Sequence, residues 1–168
     1  IDYLIADQII IPDEYEKFYS EKIIRMPNCY QCNDDKKEIC KEPISRKDYN
    51  LPNKGFVFTS FCANNKITPK EFNIWIRLLK KIKGSVLWLY KSNQYSEKNL
   101  TYEAEKRNID PKRLIFAKTL PLKKHLARHT LGDLALDTFN YNGHTTTSDA
   151  LWAGLPVLTK IGKSFAAR

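Results

Sequence analysis

The sequence predicts an α/β fold in which a parallel sheet carries helices on both faces. From residue 55 onward, apolar runs of strand length alternate with amphipathic segments of helical length. The runs are apolar at nearly every position, rather than at every second one. Strands of this kind are buried on both sides, which is typical of parallel sheets with helical crossovers. Right-handed crossovers bring the carboxyl ends of all strands to one edge, where ligands bind in such folds.

Strands and helices are predicted in strict alternation. The strands are residues 55–61, 85–90, 113–117, 133–138 and 155–159, and the helices are residues 67–83, 99–109, 120–130 and 145–154. The first helix has the clearest start, because Thr68 caps it, Pro69 suits its first turn and Glu71 follows three residues after the cap. The tryptophans all fall in apolar segments and are assigned to core packing: Trp75, Trp88 and Trp152.

The residues before this alternation are organised differently. Residues 2–10 are predicted as a strand, and residues 13–22 as a short charged segment of helical character. Residues 27–53 are polar and interrupted by prolines, which is typical of a connector between domains. The chain starts and stops inside structured elements, so we expect a fragment of a longer protein.

Composition and charge restrict the classes of function. The net charge is +9, but the basic residues are spread along the chain in pairs rather than gathered in one arm. This spread favours a solvated surface, with one or two lysines reserved for phosphate, over a nucleic-acid-binding face. No apolar run approaches the roughly 18 residues that a membrane span needs. The N-terminus has no secretion signal, so we expect a cytoplasmic location.

The cysteines include one CxxC pair, formed by Cys29 and Cys32. A zinc site would need two further ligands at suitable spacing, and only Cys40 is near. A redox pair would open a helix after a strand, whereas this pair lies in a polar stretch. We therefore expect reduced, structural cysteines, no bound metal and no cofactor.

The loops that follow the strands hold the candidate ligand-binding residues. Asn142-Gly143 predicts a tight turn in which glycine supplies a conformation that a side chain would resist. Next come His144, Thr145 and Thr146 at a helix start, where free backbone N–H groups and hydroxyls suit a diphosphate. Asp149 lies one turn further in, where its carboxylate can accept hydrogen bonds from a sugar diol. A helix cap alone would need one such residue, so this run favours ligand binding.

Other candidates stand at the same edge. Lys66 follows the first strand of the alternation, where its ammonium can stabilise the charge of a departing nucleoside diphosphate. His125 and Arg128 share one face of a helix, which fits either a nucleotide base with its phosphate or a solvated basic face. His129 points elsewhere on that helix and is given no role.

At this point the residues resemble a known family. The segments that carry the likeness are DYLIADQIIIP, YSEKIIRMPNCYQCND, FTSFCANNKITP, SVLWL, KRLIFAKTLPLKKHLARH and LALDTFNYNGHTTTSDALWAGLPVLT, which span nearly the whole chain. They are similar to the C-terminal catalytic part of O-linked N-acetylglucosamine transferases (glycosyltransferase family 41). That family includes SPINDLY-like bacterial members and adhesin-modifying N-glucosyltransferases. The resemblance implies a GT-B fold and an inverting, metal-independent transfer from a UDP-sugar.

The resemblance also implies roles for single residues. Lys66 corresponds to the lysine that neutralises the departing UDP, and Asp149 to the ribose ligand. His144, Thr145 and Thr146 correspond to the residues that bind the diphosphate and the sugar. His125 and Arg128 correspond to a His and an Arg beside the nucleotide in the family. The backbone at Leu120 corresponds to the one that contacts the uracil edge. Two positions depart from the family: Ala63 removes a donor near the phosphates, and Leu122 replaces a lysine of the animal enzymes.

Domain organisation follows from the same resemblance. Residues 1–26 correspond to the tail of an N-terminal Rossmann-like domain, 27–53 to the interdomain connector, and 54–168 to a UDP-sugar-binding domain that is incomplete at its C-terminus. The implied partners are UDP-N-acetylglucosamine or another UDP-sugar, a protein acceptor, and a helical-repeat domain upstream.

Three functions are therefore considered. The first is transfer of N-acetylglucosamine to Ser or Thr of proteins, with this chain as the donor-binding part and inactive alone. The second keeps the fold but moves glucose from UDP-glucose to asparagine. The third is a non-catalytic basic α/β module for nucleic acid, which the core-like placement of the aromatic residues disfavours.

Overall fold

The computed structural model describes all residues from 1 to 168 and consists mainly of parallel strands and helices. The strands are β1 (Tyr3–Ala6), β2 (Lys22–Arg25), β3 (Val57–Ser60), β4 (Val86–Tyr90), β5 (Leu114–Ala117), β6 (Leu134–Leu136) and β7 (Val157–Leu158). The helices are α1 (Asp13–Glu16), α2 (Pro69–Lys81), α3 (Gln94–Glu105), α4 (Leu122–Arg128) and α5 (Thr145–Trp152). No helix is long and apolar enough to cross a membrane.

The main sheet has five parallel strands in the order β5-β4-β3-β6-β7. The chain runs outward from β3 to β5 and then returns to place β6 on the other side of β3. Phe58 of β3 accordingly pairs with Leu87 of β4 on one side and with Leu134 of β6 on the other. The strand order thus reverses between β3 and β6, and this reversal determines where a ligand can enter.

The two faces of the sheet are buried in different ways. Alternate residues of a strand point to opposite faces, and in β4 Leu87 and Leu89 pack with α2 and α3 around Trp75. On the opposite face Trp88 packs with Leu51 and Tyr49, which lie in the predicted connector. The connector therefore covers part of the sheet directly.

The N-terminal residues form a small unit of their own. Strands β1 and β2 pair in parallel as a two-stranded sheet. A small cluster around Ile11 joins this unit to Phe165 near the end of the chain. Asp7 is buried at the end of β1, and its carboxylate accepts hydrogen bonds from the backbone N–H groups of Ile9, Ile10 and Tyr30. Burial alone would raise the pKa of Asp7, but these three donors outweigh it and lower the pKa.

The predicted α/β class is confirmed, and all five strands from residue 55 onward are present, each shorter than predicted. Helix α3 begins at Gln94 rather than at residue 99, because the Asn93 side chain caps it by accepting a hydrogen bond from Ser96 N–H at 2.9 Å. The predicted strand at 2–10 is limited to β1, and β2 was not predicted.

Two of the three tryptophans were placed correctly. Trp75 and Trp88 are buried, but the prediction that Trp152 packs in the core is wrong, since it is 44% exposed. Its indole N–H donates to the backbone oxygen of Lys37 at 3.0 Å. The last turn of α5 therefore contacts the connector rather than the core.

Candidate functional site

The loops after β3 and β6 meet at the carboxyl edge of the sheet. In doubly wound sheets the reversal of strand order opens the crevice in which ligands bind. The thiol of Cys62, after β3, lies 3.4 Å from the hydroxyl of Thr146 at the start of α5. Burial raises the pKa of Cys62, so the thiol is protonated at neutral pH and acts as a packing and hydrogen-bonding group.

Asp137, directly after β6, holds the second loop in place. Its buried Oδ1 accepts hydrogen bonds from the backbone N–H groups of Thr138 at 2.8 Å and Gly143 at 2.7 Å. Its Oδ2 accepts a hydrogen bond from the Thr159 hydroxyl at 2.6 Å. One carboxylate thus ties β6, the loop before α5 and the end of β7 together.

Gly143 is required by close packing. A Cβ at this position would lie 2.6 Å from the hydroxyl oxygens of both Thr146 and Thr147, and 3.3 Å from Asp137 Oδ1. The predicted reason, a conformation that side chains resist, is wrong, because Gly143 does not have a positive φ. The glycine lets two hydroxyls lie against the backbone of the loop.

The start of α5 presents free hydrogen-bond donors. Its first intrahelical bond joins Ser148 N–H to the His144 carbonyl, and the N–H groups of Thr145, Thr146 and Thr147 make no hydrogen bond within the chain. These donors, with the helix dipole, favour an anion. The structure therefore has, at the start of α5, the free donors from which an anion site was predicted.

Lys66 and His144 are brought together by Tyr141. The Lys66 ammonium lies 4.1 Å from the centre of the Tyr141 ring, and the same ring stacks on His144 at 5.3 Å. The imidazole of His144 also contacts the Tyr30 hydroxyl at 2.8 Å through Nδ1. Lys66 forms no ion pair with the chain's carboxylates within 4 Å, so its charge is available to a ligand.

Two buried polar residues fix the loops around Lys66. Asn64 is buried and accepts hydrogen bonds through Oδ1 from Ser92 N–H at 3.3 Å and from the Ser96 hydroxyl at 3.0 Å. Glu71 of α2 is completely buried, contacts the Thr68 hydroxyl, and accepts a hydrogen bond from Phe139 N–H at 2.8 Å. Glu71, three residues after the predicted cap Thr68, therefore also anchors the loop after β6.

His125 and Arg128 lie together against Phe61. The Arg128 guanidinium is 1% exposed, lies 4.6 Å from the centre of the Phe61 ring, and donates to the Lys118 carbonyl at 2.6 Å. Its Nε is buried without a partner. Burial lowers the pKa of Arg128 to about 10. Arg128 is thus a buried cation without a carboxylate partner, and burying a charge is costly unless it is paired.

The imidazole of His125 is neutral at pH 7. Burial lowers its pKa to about 4, helped by the charges of Arg128 and His129 and opposed by Asp149. His129, to which no role was assigned, is buried beside it, with ring centres 4.6 Å apart, and its Nδ1 lies 2.8 Å from the His125 carbonyl. His129 therefore packs against His125, which the sequence predicted beside the nucleotide.

Leu120 and Arg128 line one cavity of about 270 Å³ with Tyr49 and Trp88. Leu120 is half-buried there. Of the two departures from the family pattern, Ala63 is exposed and Leu122 is 49% exposed. Neither side chain makes a polar contact at this edge.

The connector contacts three of the predicted ligand residues. The Lys37 ammonium forms an ion pair with Asp149 at 2.7 Å, and the Gln31 amide donates to the Thr145 hydroxyl at 3.1 Å. Tyr30 contacts His144, as described above. A cleft of about 320 Å³ lies between the N-terminal unit and the loop before α5, and Tyr30, Gln31 and His144 are among its walls.

All eight predicted residues thus lie at or beside the carboxyl edge of the sheet: Lys66, Leu120, His125, Arg128, His144, Thr145, Thr146 and Asp149. Sequence reasoning missed Asp137, Tyr141 and Lys37. Asp137 had a local signal, since it is the charged residue that ends an apolar strand. Lys37 had none, because its partner is 112 residues away. The structure contains no group of three or more His, Cys, Asp or Glu residues that could hold a metal ion.

Comparison with known proteins identifies the family of this chain. The sequence model of glycosyl transferase family 41 matches residues 36–168. The chain belongs to glycosyl transferase family 41. It is similar to the probable UDP-N-acetylglucosamine–peptide N-acetylglucosaminyltransferase SEC of Arabidopsis thaliana, with 36% identity over 100% of this chain and 18% of that protein. It is also similar to the SPINDLY protein of the same plant, with 30% identity over 99% of this chain and 18% of that protein.

A solved structure agrees with the fold. A mutant of the Thermobaculum terrenum O-GlcNAc transferase superposes with a TM-score of 0.83 and 28% sequence identity, covering 100% of this chain and 32% of that one. The chain therefore has the fold of the corresponding part of a GT-B glycosyltransferase. It spans less than a fifth of the plant family members with which it aligns.

Proposed function

We propose that this chain is the donor-binding part of a glycosyltransferase that moves N-acetylglucosamine from UDP-N-acetylglucosamine to Ser or Thr of proteins. The observation that carries the proposal is the start of α5, where three unbonded backbone N–H groups lie at the same sheet edge as an ammonium without a carboxylate partner. The named activities of the plant family members support the choice of donor.

The proposed position of the donor follows from the donors and acceptors at this edge. The diphosphate lies at the start of α5 against Thr145, Thr146 and His144, because N–H groups and hydroxyls bind anionic oxygens. The ribose lies at Asp149, and the uracil lies at the cavity beside Leu120. Arg128, buried without a carboxylate, and the neutral His125 flank the nucleotide.

Lys66 has the catalytic role in this proposal. As the bond from the sugar to the diphosphate breaks, negative charge develops on the leaving UDP. An ammonium fixed beside it stabilises that charge without a metal. Tyr141 and Asn64 fix Lys66 and its loop before the donor arrives. Inversion at the sugar carbon, metal independence, a protein acceptor and an upstream helical-repeat domain belong to the same proposal.

Binding of UDP and of uridine, measured by calorimetry on the chain extended to its natural ends, tests the donor site. Lys66→Met should weaken UDP binding by about 10- to 100-fold, the usual range for one hydrogen bond to a charged group, and leave uridine binding unchanged. Lys70→Met is the matched control, since Lys70 is an exposed lysine on α2. If UDP does not bind, or if both variants weaken it equally, the assignment is wrong.

Transfer itself is tested with the same extended chain. Protein acceptors are incubated with UDP-N-acetylglucosamine or UDP-glucose, with and without EDTA, and are analysed by mass spectrometry. The proposal predicts a mass gain of one N-acetylhexosamine on Ser or Thr that EDTA does not reduce. A hexose on asparagine would instead indicate the N-glucosyltransferase reaction. Tight oligonucleotide binding with a steep salt dependence, and no UDP binding, would favour the nucleic-acid module.

A further inference from the structure

Lys37 and Asp149 form a nearly buried ion pair between the connector and α5. The ammonium lies 2.7 Å from Asp149 Oδ1, and the two side chains are 11% and 8% exposed. The other lysine ion pairs of the chain are far more exposed, as in Lys91 with Glu97 at 38% and 34%. Exposed pairs contribute little, whereas a charge removed from water needs its partner. Loss of either partner would therefore leave a nearly buried charge without compensation at this edge.

The pair leaves one oxygen of Asp149 free. Only Oδ1 contacts the ammonium; Oδ2 makes no hydrogen bond within the chain and is not enclosed. A carboxylate with one oxygen held and the other open is oriented for a further donor. The free oxygen lies on α5, on the turn that follows the unbonded N–H groups of its first residues.

The position of Lys37 is fixed at its backbone as well. Its carbonyl oxygen accepts a hydrogen bond from Trp152 Nε1 at 3.0 Å. Trp152 is three residues after Asp149, and residues at this spacing share one face of a helix. One face of α5 thus binds Lys37 at two points, and the ammonium reaches Asp149 from an anchored backbone.

We propose that Lys37 is a positioning residue for the ribose of the nucleotide donor. It holds Asp149 Oδ1 and so keeps the carboxylate in one orientation, in which Oδ2 accepts a hydrogen bond from the ribose diol. This inference rests on the proposed function, since it requires a nucleotide at α5. It adds to that function a residue of the connector, 112 positions away in sequence, that acts through Asp149.

The test compares binding of UDP with binding of its 2′-deoxy and 3′-deoxy analogues, using the extended chain. The parent should prefer UDP over at least one deoxy analogue by about tenfold or more, because a lost bond to a charged group leaves that group unpaired. Lys37→Met should reduce this preference to less than about threefold, since an unheld carboxylate no longer favours one geometry. Lys37→Arg should retain most of it.

The control is Lys36→Met, which removes the neighbouring exposed lysine and should change nothing. If Lys37→Met does not fold, Lys37→Gln carries the test, and thermal melting establishes which variants are folded. Because Lys37 acts through Asp149, adding Lys37→Met to Asp149→Asn should cause no further loss of preference.

Other results would overturn the inference. Tighter UDP binding by Lys37→Met would mean that the ammonium competes with the ribose. An unchanged preference, or an effect that adds fully to that of Asp149→Asn, would mean that Lys37 does not act through this carboxylate. If the parent itself does not bind UDP, the proposed function fails and this inference fails with it, whereas the preceding results leave the proposed function intact.

Discussion

Replacing Asp137 should disconnect the loop before α5 from the sheet. In Asp137→Ala the N–H groups of buried Thr138 and half-buried Gly143 lose their acceptor, while the Thr159 hydroxyl can turn to solvent. An unsatisfied buried donor costs about 1–3 kcal/mol, so we expect a loss of about 3 kcal/mol in the free energy of unfolding. For a chain of this size that loss lowers Tm by about 6–12 °C.

Asp137→Asn removes the negative charge of the side chain but keeps its shape and one acceptor oxygen. The amide keeps one oxygen for both N–H groups, and we expect it to cost about 1–2 kcal/mol, because neutral acceptors bind less strongly than charged ones. Urea unfolding measures stability, and calorimetry measures UDP affinity, which should fall in the same order. Asp110→Asn is the control, since that exposed carboxylate accepts one local N–H bond. Neutral surface substitutions change the free energy of unfolding by up to about 0.5 kcal/mol. If the free energy of unfolding of Asp137→Ala lies within that range of the parent value, the anchoring role is refuted.

Three further outcomes are expected. Gly143→Ala should displace the hydroxyls of Thr146 and Thr147, which lie 2.6 Å from the new Cβ, costing about 1–3 kcal/mol and at least about tenfold in UDP affinity; normal UDP affinity would contradict this. His125 has a pKa of about 4 in the fold, below its ordinary 6.5, so the stability it contributes above pH 6.5 is lost as pH falls through 4. Over this pH range the free energy of unfolding of His125→Gln should fall by about 2 kcal/mol less than that of the parent. Unfolding measured as a function of pH tests this, and parallel pH profiles of variant and parent would refute it. Arg46→Ala, which removes hydrogen bonds to two carbonyls and a carboxylate, should lower stability by about 2 kcal/mol without changing UDP affinity, and weaker UDP binding would contradict that role.

Much of the fold could be predicted because its signals are local. The strands β3, β4 and β5 are apolar at nearly every position, and helices alternate with them, so the parallel sheet follows from pattern alone. Strand β2 was missed because KIIR is only four residues long and its sequence has neither a long apolar run nor a polar/apolar alternation. The start of α3 was misplaced, although Asn93 carried the capping signal.

The candidate site was predictable only in part, for a physical reason. The NGHTTT segment has a local chemical signature, and its place after a strand predicted its position at the carboxyl edge of the sheet. The residues that hold it act from a distance: Glu71 anchors Phe139, 68 residues away, and Lys37 reaches Asp149 across 112 residues. Such pairs depend on strand order and on the path of the connector, which no local pattern specifies. The requirement for Gly143 likewise comes from neighbouring hydroxyls rather than from its own backbone.

A crystal structure of the extended chain with UDP bound tests the central claim most directly. We expect the diphosphate within hydrogen-bond distance of the N–H groups at the start of α5 and of Lys66 Nζ, and the ribose on Asp149 Oδ2. A nucleotide bound elsewhere on the chain, or one whose phosphates lie away from α5, would contradict the proposed donor site.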